Sequence, residues 1–186
     1  MDDNERWLLS FYRFSEISGA LFFGRLTKSI PAGPIQHDMT KHFADESNHA
    51  WLWTNTISEL GEKPIRIGSA YQDKYLEAAG LPVNIMEILA ITNVFEARVI
   101  AQYAMHSRVE NLSPVIGKTF KAIMDDEKWH LKWIGKALED LAPKYGQQAI
   151  DAALHRYRLA DKEVYGQVLD EHRGRIEHIL SVKKRG

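Results

Sequence analysis

The sequence predicts an all-α chain, an antiparallel four-helix bundle with one long crossover and an additional long C-terminal helix. Three observations carry this. Long segments without internal proline repeat their apolar residues at steps of three and four. The stretches Ile30-Pro31-Ala32-Gly33-Pro34 and Gly80-Leu81-Pro82, with the pair Ser113-Pro114, separate those segments. No segment alternates apolar and polar residues as a half-buried strand does.

The first helix is expected at about 4–29, with an inward stripe of Leu9, Tyr12, Glu16, Ala20 and Phe23. The second, at about 35–60, runs its stripe through Ile35, Met39, His42, Glu46, His49, Trp53, Ile57 and Leu60. A long connection, 61–80, follows and contains a short helix at about 70–78. The third long helix, at about 83–110, presents Ile85, Leu89, Thr92, Glu96, Val99 and Tyr103. The fourth, at about 114–141, presents Phe120, Ile123, Glu127, His130, Ile134, Leu138 and Leu141. The fifth is expected as one helix at about 146–181. Connections that are short, long and short again suit two helical hairpins joined by one crossover.

At 186 residues the default is a single domain, 1–186, whose core helices span about 4–141. Lys plus Arg number 24 against 25 for Asp plus Glu, a balance that gives no reason to expect nucleic acid or an anionic membrane surface as partner. The basic run Lys183-Lys184-Arg185 reads as a solvated end. Without cysteine there is no disulfide, thiolate metal site or iron–sulfur centre on this chain, so any redox partner is separate. The opening MDDNERW is acidic and polar where a secretory signal is basic and then apolar, and no apolar run approaches ~18 residues. The expected compartment is the cytoplasm, with no membrane association.

Polar residues interrupt each inward stripe only near its middle. Glu16, Glu46 and His49 recur as Glu96, Glu127 and His130 at offsets of 80, 81 and 81 residues, so the first helical hairpin reads as duplicated in the second. In Glu-x-x-His the two side chains share one helix face and reach a common ion. One such motif is common by chance; the doubled order Glu, Glu-x-x-His, with one set per helix, is far more specific. Four buried carboxylates repel one another and lose hydration, and no Lys or Arg lies on these stripes. Two divalent cations balance four glutamates and two neutral imidazoles. Glu16, Glu46, His49, Glu96, Glu127 and His130 are therefore the candidate metal-binding and catalytic residues.

This pattern resembles the ferritin-like di-iron carboxylate superfamily, which includes bacterioferritins, rubrerythrins, acyl carrier protein desaturases and bacterial multicomponent monooxygenases, over roughly residues 5–140. The resemblance implies a ferritin-like bundle holding two Fe ions, with Mn or a mixed Mn/Fe pair also compatible with the ligands. It makes Glu16 and Glu96 terminal or bridging carboxylates, Glu46 and Glu127 bridges, and His49 and His130 caps of one metal each. Asp45 and Asp126 directly precede the Glu-x-x-His glutamates. This is similar to the Asp-Glu-x-x-His form of desaturases and monooxygenases, where the Asp bonds and orients a ligand His.

The resemblance implies O2 activation for oxidation of a small organic substrate, with a separate electron-donor protein as reductant. Ile100 departs from the Thr that similar monooxygenases carry one turn after the third-helix Glu; Thr92 lies one turn before. A bacterioferritin-type ferroxidase or storage protein is the alternative, but Ser47 stands where haem-binding bacterioferritins have Met, and the fifth helix is long. A rubrerythrin-like peroxidase ranks third because its usual Cys-rich domain is missing. A homodimer is the partner expected of the chain itself, whereas the storage alternative would assemble into a hollow cage. His42 and His106 read as core or rim histidines, with an added ligand or a supporting role as alternatives. Trp51, Trp53, Trp129 and Trp133 read mostly as core. Tyr71, Tyr75, Tyr103, Tyr157 and Tyr165 carry no assigned role.

Overall fold

The computed structural model describes residues 1–68 and 71–181, and of 71–73 and 178–181 the backbone only. Its described residues form seven helices and no strand: α1 (Asp3–Leu26), α2 (Pro34–Glu59), α3 (Tyr71–Ala79), α4 (Ile85–His106), α5 (Pro114–Tyr145), α6 (Gln147–Glu171) and α7 (Arg173–Ser181). The all-α class is as expected.

Local chemistry sets the ends. Asp2 caps α1, accepting at 2.9 Å from the backbone N–H of both Asn4 and Glu5. Pro34 and Pro114 open α2 and α5, where a missing N–H costs nothing. Asn84 accepts from the Glu87 N–H at 3.0 Å while the Glu87 carboxylate accepts from the Val83 N–H at 3.0 Å, a reciprocal cap on α4. α5 runs past Pro143, four residues beyond the expected end at 141, and stops at Gly146, whose φ of 85° lies in the left-handed region. The expected short helix in the crossover is α3, Tyr71–Ala79; residue 70 lies outside the described residues.

The expected single fifth helix is corrected to two. α6 ends at His172, which leaves helical geometry at φ −115°, ψ 16°. The break turns α7 back onto α1: the His172 ring lies 4.2 Å from that of Trp7, and Arg175 sits 5.3 Å over the same indole. The basic run 183–185 lies outside the described residues.

The short 27–33 and 107–113 connections fold α1–α2 and α4–α5 into antiparallel hairpins, and α2 packs against α5. α6 lies along α4 and α3, tied by the buried Arg98–Asp161 ion pair and by the Tyr75 hydroxyl, which donates to the Tyr157 carbonyl. The core combines Leu9, Trp53, Ile57, Leu89, Ile116, Ile123 and Ile134, all fully buried. Among the described residues no helix is long and apolar enough to cross a membrane.

Candidate metal centre

Each long helix of the two hairpins brings its mid-stripe residues inward. Glu16 comes from α1, Glu46 and His49 from α2, Glu96 from α4, and Glu127 and His130 from α5; all six are buried. The structure assembles them into two overlapping groups. Glu16, Glu46, His49 and Glu127 place their nearest ligand atoms within 4.8 Å of one another, and so do His42, Glu46, Glu96 and His130. Glu46 belongs to both. Glu127 also faces both: Oε1 is 3.2 Å from His49 Nδ1 and Oε2 is 3.5 Å from His130 Nδ1. Glu16 lies 3.8 Å from His49 Nδ1, and Glu96 lies 3.6 Å from His130 Nδ1.

The aspartates preceding Glu46 and Glu127 act across the hairpins. His49 Nε2 lies 3.2 Å from Asp126 Oδ2, and His130 Nε2 lies 3.2 Å from Asp45 Oδ2. With the Nε2–H donated to a carboxylate, each imidazole keeps its Nδ1 lone pair for the centre. Lys41 in turn holds Asp45 at 2.5 Å.

Whether these residues fit cations can be tested on their unsatisfied atoms. Both Nδ1 atoms and both Glu127 oxygens are buried without a hydrogen bond. They approach one another at 3.2 and 3.5 Å without the alignment a hydrogen bond requires. Lone pairs that converge on shared points, and not on each other, are what a cation coordinated by all of them needs. The residues fit a pair of hard divalent ions held by carboxylate oxygens and imidazoles.

The electrostatics of the side chains alone give the same picture. Burial, with Glu16 alongside, pushes the Glu46 carboxyl up to about 8; burial and Glu96 push Glu127 up to about 7. Burial also raises Glu96, but His42 and His130 beside it carry it well below the usual carboxylate value. Burial lowers His49 and His130, yet the surrounding carboxylates raise both to about 12. Without cations the cluster must take up protons to be tolerated; cations replace those protons as the compensating charge.

Three participants were not assigned from sequence. Tyr103 donates its hydroxyl to Glu16 Oε1 and accepts from Trp53 Nε1–H at 3.1 Å, so it positions a candidate ligand. Its place two turns after Glu96 on the same stripe is the signal that was available. Gly19 approaches the Glu46 carboxylate so closely that a Cβ there would lie 2.3 Å from Oε2. His42 joins the cluster itself, closer in than a core or rim histidine. His106 does not: its Nδ1 meets the Tyr12 hydroxyl at 3.3 Å, outside both ligand groups.

Of the tryptophans, Trp53 and Trp133 are core, Trp129 is half-buried beneath Lys41, and Trp51 is 60% exposed, contrary to a core role. The Thr92 hydroxyl is spent on the Ile88 carbonyl at 2.8 Å. Tyr75 and Tyr157 join α3 to α6, Tyr165 stacks under Arg98 at 3.8 Å, and the Tyr71 side chain lies outside the described residues.

A cavity of about 390 Å³ opens between α1 and α4, where the hairpins part, and reaches Glu16, Glu46 and Glu96. Its walls are mainly apolar, with Phe11, Phe22, Phe23, Phe95 and Val99 facing it.

Comparison of the chain with protein-family models, with curated proteins and with solved structures returns no match. The structure defines the class: a protein whose described residues are helical and carry no strand, with buried Glu/His groups able to hold metal.

Proposed function

We propose that this chain is a ferritin-like four-helix bundle of the di-metal carboxylate class, α1, α2, α4 and α5 forming the bundle, and that it oxidises a small organic substrate with O2. The observation that carries the reading is the pair of ligand groups sharing Glu46 and opening onto an apolar cavity. At about 390 Å³ that cavity is within the range of small-molecule sites, and its lining is mainly apolar around the three carboxylates.

Glu16, Glu46, His49, Glu96, Glu127 and His130 would hold two Fe ions, with Mn or a mixed pair as alternatives, and iron so held supplies electrons and open positions for O2. The chain's own part is fourfold. Asp45 and Asp126 fix the imidazole tautomers. Tyr103 holds Glu16. The aromatic walls exclude water, and the cavity presents substrate to the carboxylate face of the centre. Electrons come from a separate donor protein, since the chain has no cysteine for an iron–sulfur centre.

The second reading, a ferroxidase or storage protein, shares the ligand order but gives the apolar cavity no task. A rubrerythrin-like peroxidase stands behind both. Stopped-flow absorbance of the Fe(II)-loaded protein mixed with O2, with and without reductant, separates the readings when followed by measurement of retained iron and of assembly size. Repeated turnover in a small assembly without mineral growth supports the oxidase. Hundreds of irons retained per hollow assembly would overturn it in favour of storage.

A further inference from the structure

We infer that His42 is a seventh ligand and makes the two cation positions chemically unequal. On this inference, which rests on the two-cation reading above, His42, His130, Glu46 and Glu96 form a nitrogen-rich position. Glu16, Glu46, His49 and Glu127 form an oxygen-rich one.

His42 is completely buried, and neither ring nitrogen has a hydrogen-bond partner. A histidine placed in the core for packing makes an aligned hydrogen bond through at least one nitrogen, and His42 makes none. Its Nε2 lies 3.1 Å from Glu96 Oε1 and 3.3 Å from Glu46 Oε1. The ring packs against Phe23 at 4.0 Å and stacks on His130 at 3.6 Å with an interplanar angle of 15°. That packing holds the ring with Nε2 beside the Glu46 and Glu96 oxygens.

The duplication of the hairpins fails at this place. The offset of 81 residues that carries Glu46 to Glu127 and His49 to His130 carries His42 to Ile123, a fully buried aliphatic residue with nothing to donate. The offset of 80 that carries Glu16 to Glu96 carries Phe23 to Tyr103. One end of the centre therefore has an extra imidazole against an inert phenyl ring. The other has no second imidazole, and its Glu16 is held by the Tyr103 hydroxyl.

Imidazole donors favour the later divalent metals of the first row, and carboxylates suit manganese. The nitrogen-rich position should fill first and prefer Fe(II) or Co(II); the oxygen-rich position should fill second and accept Mn(II) more readily.

The test loads the full-length, metal-free protein with Co(II), followed by absorption and by proton NMR of the paramagnetic product. The expected result is two binding steps of unequal affinity. Three solvent-exchangeable, hyperfine-shifted imidazole N–H signals should appear, from His42, His49 and His130. In His42→Phe one of those signals should vanish and the tighter step should weaken by roughly 100-fold or more, the upper end of what loss of a mere supporting partner costs. The signal count in the unsubstituted protein decides the matter even if the variant does not fold. Two signals only, with two bound ions, overturn His42 as a ligand and leave the two-cation reading standing. No bound Co(II) at all overturns both.

Discussion

Gly19 offers the sharpest test of the centre's geometry, because there one methyl group sets helix stability against metal binding. A Cβ on Gly19 would stand 2.3 Å from Glu46 Oε2 and 3.2 Å from Cδ, where real contacts of a Cβ do not fall below 3.0 Å. The carboxylate must then retreat by at least 3.0 − 2.3 = 0.7 Å. A functional constellation tolerates only ~0.5 Å of displacement, and misplacement by about 1 Å costs on the order of 100-fold. Glu46 is common to both ligand groups, so Gly19→Ala should weaken binding of both ions, by roughly 10- to 100-fold for the pair. The same change should help the metal-free fold. Ala is better than Gly in a helix interior by about 0.5–1 kcal/mol, and Gly19 is well inside α1. For a chain of this size that corresponds to a rise of about 1–4 °C in Tm. Gly135→Ala is the control: a Cβ there meets nothing within 4 Å, so it should raise Tm similarly and leave metal affinity unchanged. The assay is thermal unfolding of the metal-free variants, paired with Co(II) titration against a competing chelator. If Gly19→Ala bound both ions as tightly as the unsubstituted protein, the placement of the Glu46 carboxylate as a shared ligand would be wrong.

Removing either carboxylate that holds a ligand imidazole, by Asp45→Ala or Asp126→Ala, should cost roughly 10–100-fold in metal affinity without unfolding the chain; chelator competition with unchanged affinities would show that these bonds do no orienting. Glu127 is fully buried and faces both ligand imidazoles, so Glu127→Met should abolish binding of the ion pair; a Co(II) titration in which the variant still takes up two ions would show that Glu127 is not a shared ligand. Burial lowers His106 from its ordinary value of 6.5 to about 4. The folded state thus favours the neutral ring while the unfolded chain takes up a proton near 6.5. The fold's advantage at this residue is intact above pH 6.5 and is lost progressively as pH falls from 6.5 toward 4, by about 2 kcal/mol at pH 5. His106→Gln should flatten the stability difference between pH 7.5 and pH 5 by that amount, and identical slopes for the two proteins would refute the assignment.

Much of this centre was legible in the residues themselves. A helix has one period, so Glu46 and His49, three apart on an apolar stripe, must share a face, and the offset that repeats them as Glu127 and His130 marks two hairpins built to one plan. Pro34 and Pro114 announced where two of the helices begin, because proline acts on its neighbours in sequence. What lay beyond reach depended on distances between helices. His42 and His106 look alike along their stripes; only the packing of Phe23 and His130 puts the first among the carboxylates and leaves the second against Tyr12. The crossed bonds from Asp45 to His130 and from Asp126 to His49 require α2 and α5 to be neighbours, which neither helix encodes alone. The break at His172 sets its ring against Trp7, a partner some 165 residues away in the chain. Sequence determined which side of each helix is turned inward, since that follows from local periodicity. Tertiary structure alone decided how near those sides come, because separation is set by the volume of everything packed between them.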